Sequence, residues 1–435
     1  MPYPYQIVSA NNALLFSDAR QAETPRPHYY GGYLFQVTVR SANPAYLDMY
    51  ASDVTSGDPG STWTIQDSGN SKRMPAPATP MFGGRGEARD GAILYYVIGS
   101  WDVPNRLKVV RFDMATRTWL SDITGGPDNA YFFDGSFNEA HFKIAVLANG
   151  DLFIAYQITK TVGTPWAQVN GVVYDVSMAS WGTPFAIFEP DVTEPDFLIG
   201  YLAHFCVLGG SDRVHVVVKT WPDQPHAILH RTWKAGVLGA VTIIRPGPQI
   251  ESDTLNPTAG VLYTFCGTTW VCLAYAEYFD DTQGSGFQGS RRLLCIMFPD
   301  EDNPTNWRRD AFYIINDGFN SGNPWFGASL ATDGMSLYYV YSDWDTATQQ
   351  WALRYFCLKQ TKWAGPTNII AMGADDIVDV AANFVNGQLG VSFMGYEGGA
   401  AYENPHYFQL TPTCNAAECC PELMAMQNRS YLHVA

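Results

Sequence analysis

A tryptophan recurs at the end of one repeating unit, and that unit limits the fold more than any other feature of the chain. Each copy opens on a Gly or Asp turn, runs through an alternating strand, a polar gap and a second strand, and closes on a turn and Trp. One copy goes from Gly91 through Leu94-Tyr95-Tyr96-Val97, then Leu107 to Asp113, then Thr118-Trp119. Another goes from Gly150 to Tyr156, through Val172-Val173-Tyr174-Asp175, to Ser180-Trp181. A third goes from Gly334 to Val340, through Leu353 to Cys357, to Lys362-Trp363. The closing residues Trp63, Trp119, Trp181, Trp233, Trp307 and Trp363 are separated by 56, 62, 52, 74 and 56 residues. A seventh unit begins at Gly387 and reaches Tyr407-Phe408-Gln409-Leu410 with no closing Trp.

Further strands follow the Trp (Phe185 to Phe188, Val241 to Ile244) and precede the Gly (Phe142 to Leu147), giving four short strands per period. Four antiparallel strands repeated about seven times predict an all-β protein, a β-propeller of four-stranded blades. Seven blades fit best, with six or eight open. One such sheet cannot bury its own faces, so blades stack around a channel. The expected domain is 1–410, its ring closed by an N-terminal strand at Tyr5 to Ser9, followed by a tail over 411–435. Pro421 to Asn428 in that tail has the pattern of a short helix, and sequence leaves open whether the tail wraps its own ring or docks on a neighbour.

Charge removes one class of partner. Lys and Arg number 26 against 42 Asp and Glu, a formal charge of −16. A nucleic-acid surface needs a net basic footprint, so nucleic acid is not an expected partner. No apolar run approaches the ~18 residues of a membrane span. The N-terminal Met1-Pro2-Tyr3-Pro4-Tyr5 has neither the basic nor the apolar region of a signal peptide, so synthesis in a cytoplasm is expected. Cys206, Cys266, Cys272, Cys295 and Cys357 lie in apolar strand-like runs, where Cys acts as a small buried hydrophobe. Cys414, Cys419 and Cys420 cluster in the tail at no zinc-like spacing, which reads as free or paired thiols. No metal and no cofactor are expected: Gly284 to Gly289 matches G-x-G-x-x-G but opens no helix, and Asp280-Asp281 lacks the rest of a calcium loop.

One turn is more specific. Ser56, Asp58, Gly60, Thr62 and Trp63 fit Ser-x-Asp-x-Gly-x-Thr-Trp and resemble the Asp-box of sialidases and related bacterial-neuraminidase-repeat propellers. Asp113 with Thr118-Trp119 and Asp175 with Ser180-Trp181 are degenerate copies. The motif is local in cause: the acid caps turn N–H groups, Gly permits positive φ, and Trp fills space between sheets. In that family the Asp-box is a folding element on the face opposite the active site. The resemblance therefore implies the fold, and the family's Arg-Ile-Pro segment is absent here.

Loops between second and third strands share an aromatic followed by an acid: Trp101-Asp102, Trp221 with Asp223, Phe279-Asp280, Trp344-Asp345 and Tyr396-Glu397. Aromatic faces stack on sugars while carboxylates accept hydroxyl hydrogen bonds, so this ring suits a glycan or a protein partner. The alternative is a repeat-encoded turn. His141 and His204 each start an innermost strand, with Tyr201 and Arg231 near in sequence, and some lyases on similar propellers use His, Tyr and Arg. With no catalytic set assignable, the leading expectation is a non-catalytic binding or assembly module. That would be a phage or virus structural component, its tail on other virion subunits, or a carbohydrate- or receptor-binding subunit. The rival is a glycan-active enzyme, a sialidase-like hydrolase or a uronate polysaccharide lyase.

Overall fold

The computed structural model describes residues 6–7, 26–40, 46–56, 62–73, 87–100, 106–127, 142–160, 166–189, 205–210, 212–219, 228–244, 259–265, 267–279, 290–314, 328–345, 350–359, 362–373, 377–396, 403–414 and 431–433. These residues form seven small sheets, the blades of a β-propeller. Two one-turn 3-10 segments, Val54–Ser56 and Ser68–Asn70, are the helical pieces among them. Pro421 to Asn428 lies outside the described residues.

The innermost strands of successive blades are His28–Tyr30, Glu87–Asp90, Phe142–Val146, Phe205–Gly209, Ala259–Phe265, Ala328–Thr332 and Ile377–Val385. Each pairs antiparallel with a second strand, which pairs with a third. In the last blade Asn386 and Gly387 both take positive φ, 49° and 73°. That is the two-residue type I′ turn whose twist matches a hairpin, and it fixes Val385 opposite Gln388. Gln6–Ile7 pairs antiparallel with the third strand of this blade, Gln6 opposite Tyr407. Tyr431–His433 adds in parallel to the outer edge of Arg308–Ile314 in the fifth blade.

Core packing lies between blades. Phe35 and Met49 of the first blade meet Tyr96 and Phe112 of the second. Equivalent clusters join every neighbouring pair, including Leu34 of the first blade with Val385 and Tyr407 of the seventh. The closing tryptophans sit in these seams, each against the preceding blade. Trp63 meets Tyr407 edge-on with ring centroids 5.3 Å apart. Trp181 Nε1 donates to Thr124 O at 2.9 Å, and Trp363 Nε1 donates to Asp310 Oδ2 at 2.7 Å. An indole brings a large apolar face and one donor that needs a partner, which suits a seam between two sheets.

The acids ending these third strands accept hydrogen bonds from the backbone of their own turns. Asp113 Oδ1 accepts from Ala115 N, and Asp175 Oδ1 accepts from Met178 N, both at 2.8 Å. In the first blade Asp53 does this work, accepting from Thr55 N at 2.8 Å. Asp58 and Gly60 of the complete motif lie outside the described residues. Ser56 ends a 3-10 turn, while Thr62 is exposed and Trp63 half-buried.

One cysteine expectation is corrected. Cys357 is disulfide-bonded to Cys414. Its strand context gave no sign of this, because the partner arrives from the tail 57 residues later. Cys206, Cys272 and Cys295 are free and buried. Burial lifts the Cys295 thiol well above its ordinary value, as expected of inert core residues.

Candidate functional site

Innermost strands start, and second strands end, at the same rim of the channel, because the two run antiparallel. The chain enters the first blade there through Arg26 and Pro27. Arg26 N–H donates to Glu87 Oε1 of the second blade at 3.0 Å. Its side chain crosses to the fifth blade, where Nη2 donates to Gly260 O at 3.0 Å. Asn383 of the seventh blade donates through Nδ2 to Pro27 O at 3.0 Å. Two residues of chain thus tie four blades together across the channel.

The next residue, His28, faces Glu87, with Nε2 and Oε2 3.4 Å apart. Both side chains are buried, at 7% and 5% exposure. Neither ring nitrogen of His28, nor Oε2 of Glu87, has a hydrogen-bond partner among the described residues. Buried polar atoms are nearly always hydrogen-bonded, so this pair is a candidate site. Opposite Glu87 in register is Tyr96. Burial first, and the Glu87 charge second, push its phenol well above the ordinary value, so it stays a protonated donor. A buried Lys143 lies on the innermost strand of the third blade.

A second buried cluster joins the fourth and fifth blades. His215 Nε2 lies 2.8 Å from Asp300 Oδ1, and His215 Nδ1 lies 2.9 Å from His230 Nε2. Both histidines have zero exposure, and the Phe298 ring covers His230 at 4.8 Å between centroids. Arg213 Nε approaches Asp300 Oδ1 at 3.5 Å. This cluster is buried between the two blades. No group of three or more His, Cys, Asp or Glu among the described residues could hold a metal ion.

Of the residues singled out in sequence, Trp101, Asp102, Trp221, Asp223, Asp280, Glu397, His141, His204 and Tyr201 lie outside the described residues. Phe279, Trp344, Asp345 and Tyr396 lie at the ends of second strands; in the fifth and seventh blades those ends lie six residues beyond Leu273 and Gly390, which pair with Gly260 and Asn383. Arg231 lies on the third strand of the fourth blade, where its Nε donates to Gly239 O and its Nη1 to Ile187 O, each at 2.7 Å. Its guanidinium is held by backbone carbonyls of its own turn and of the third blade. The sequence reading missed Arg26, His28 and Glu87. A signal was present: Pro27-His28-Tyr29 places His at the start of an innermost strand, the same position that drew attention to His141 and His204.

No protein-family profile matches the chain, and no curated protein sequence matches it. Solved structures do. The polysaccharide lyase Uly1 aligns with a TM-score of 0.52 at 10% identity, over 91% of this chain and 91% of that one. An α-L-arabinanase of Penicillium chrysogenum, complexed with arabinobiose, aligns at 0.43 and 12% identity, over 94% and 98%. A Trypanosoma rangeli sialidase aligns at 0.40 and 10% identity, over 88% of this chain and 54% of that one. At that identity the likeness to the lyase shows the fold alone, a β-propeller. The expectation of a phage or virus structural component, with virion partners for the tail, gains no support from the fold or from these comparisons. No helix among the described residues is long and apolar enough to cross a membrane.

Proposed function

We propose that the chain is a glycan-active enzyme that cleaves a uronate-bearing polysaccharide by base-promoted elimination at the channel rim. One observation carries this reading: the unpaired nitrogens of His28 and the unpaired Oε2 of Glu87 meet on the channel wall beside Arg26. The Glu87 carboxylate, 3.4 Å from Nε2, favours the ring proton on that nitrogen by charge and leaves the Nδ1 lone pair as base. The Arg26 guanidinium, charged at any physiological pH, offsets the substrate carboxylate and so acidifies the neighbouring C–H. The C5–H bond breaks toward Nδ1, its electron pair becomes the C4=C5 double bond, and the C4–O bond breaks. The imidazolium then returns a proton to the leaving oxygen.

Hydrolysis is the weaker reading, because it uses two carboxylates ~5–9 Å apart and this cluster contains one. The likeness to a polysaccharide lyase is in keeping with elimination, although at that identity it speaks to fold alone. The sugar has to reach His28 from the rim where the aromatic–acid pairs end their strands.

The test is a panel of uronate, sialyl and neutral polysaccharides, followed by ultraviolet absorbance of the new C=C bond and by reducing-end release. His28→Ala should lower turnover about 10²- to 10⁴-fold with the fold intact by circular dichroism. Glu87→Gln should lower kcat with little change in KM. Reducing ends without the unsaturated product would establish hydrolysis instead. Unchanged turnover in His28→Ala, or glycan binding with no turnover of any polymer, would overturn the assignment.

A further inference from the structure

Six seams of the ring take a tryptophan from the later blade, and the seam between the sixth and seventh does not, because the seventh unit has no closing Trp. Its tryptophan, Trp351, belongs to the earlier blade. From the later blade come Phe384, Phe393 and Phe408 and, beyond its strands, the start of the tail. Cys414 packs against the cluster of Tyr355, Phe408 and their neighbours and is disulfide-bonded to Cys357 of the sixth blade. Tyr355 Oη donates to Thr413 O and accepts from Thr413 N, both at 3.1 Å. Gln388 Nε2 donates to Thr411 Oγ1 at 3.3 Å, fixing the tail to its own blade as well.

We infer that the Cys357–Cys414 disulfide is the closing element of the last seam, a covalent latch in the place an indole takes elsewhere, and that it makes ring closure redox-dependent. Closing the latch removes two electrons and two protons from the two thiols. A disulfide-bearing oxidoreductase or small-molecule disulfide accepts them and becomes a dithiol. Reduction leaves the start of the tail held by the Tyr355 and Gln388 hydrogen bonds and by packing in the seam, while Tyr431–His433 keeps its place on the fifth blade. The seam matters beyond itself: Ala382 N–H donates to Ser329 Oγ across it at 2.9 Å, and the adjacent Asn383 holds Pro27 at the channel. Latch and channel wall therefore share one strand, Ile377–Val385.

The experiment uses the full chain, purified without reductant and then split between buffer and dithiothreitol. Alkylation with mass measurement should show Cys357 and Cys414 blocked before reduction and reactive after it. Limited proteolysis should cut the tail beyond Leu410 about tenfold faster in the reduced sample, with a lower melting temperature. Cys414→Ser should behave like the reduced protein and no longer respond to dithiothreitol. Tyr355→Phe, which spares the disulfide, should speed cleavage less than reduction does. Both cysteines alkylating in the folded unreduced chain would overturn the inference. So would tail cleavage and melting that dithiothreitol leaves unchanged. If Cys414→Ser fails to fold, reduction of the wild-type chain still decides between these outcomes.

Discussion

Acidification should unfold this ring through one histidine, and the size of the effect follows from the seam between the fourth and fifth blades. His215 Nε2–H donates to the Asp300 carboxylate, so His215 Nδ1 accepts from His230 Nε2–H. His230 Nδ1 then has no protein partner among the described residues. Burial first, and His215 second, hold His230 down at about 3 against an ordinary 6.5. Between those values the unfolded chain binds a proton that the folded chain refuses. Stability contributed by the neutral ring is fully present above ~6.5 and falls as pH drops toward ~3. The slope approaches about 1.4 kcal/mol per pH unit, and the loss from about pH 8 to about pH 5 is about 2 kcal/mol. Urea unfolding across that range would measure it in the wild type and in His230→Gln, which still donates to His215. Carboxylate titrations are common to both proteins, so the difference isolates His230. A wild-type minus variant difference that is flat from about pH 8 to about pH 5, or that rises on acidification, refutes the reasoning.

The indole donors give a paired comparison. Trp363→Phe leaves Asp310 short of a donor inside a seam, with Arg308 as its remaining ion partner, and should cost about 2 kcal/mol by urea unfolding. Trp181→Phe loses a bond to an exposed carbonyl and should cost under about 1 kcal/mol, so equal values would contradict the seam argument. Gly260→Ala would set a Cβ 2.5 Å from Leu208 and displace the carbonyl that receives Arg26. Expect about 1–3 kcal/mol of destabilisation together with lower turnover of the polysaccharide, and a full-rate enzyme would separate Arg26 from the site. Ala235 takes a φ of 48° in a two-residue turn, so Ala235→Asn should raise the unfolding free energy by about 0.5–1 kcal/mol; a loss would mean the turn is not left-handed in solution.

The repeat was legible because it is a packing requirement written many times. Alternating strands, turn glycines and a Trp recur wherever a four-stranded sheet must cover its neighbour, and six tryptophans lie in the seams their spacing implied. Position-specific chemistry is written once, and that part was harder to read. His28 had the same signal as His141 and His204, but its partner Glu87 is a lone carboxylate in Glu87-Ala88-Arg89-Asp90, indistinguishable in sequence from a solvated edge. The Cys357–Cys414 bond joins an apolar strand to a segment outside the repeat, and neither context alone predicts a crosslink. Arg231 shows the reverse error of sequence proximity: being near His204 in the chain, it spends its donors on backbone carbonyls between blades.

Each seam solves the same problem with different atoms. One uses an indole donating to a carbonyl, another an indole donating to a carboxylate, another rings of Phe153 and Phe185 around Trp233, and the last a disulfide. Each fills the gap between neighbouring blades within the same strand architecture, since what the fold needs there is close packing between sheets. Such a ring can keep its architecture at 10% identity to a lyase while sharing few residues with it. Functional positions cannot then be carried over by seam or by blade number. They have to be found as the places where packing is locally worse than it needs to be. At His28 and Glu87 a hydrophobic pair would have filled the channel wall with no unpaired atoms. The polar pair sits there at a cost of the order of 1–3 kcal/mol per unsatisfied group, which a substrate contact at the proposed site would offset.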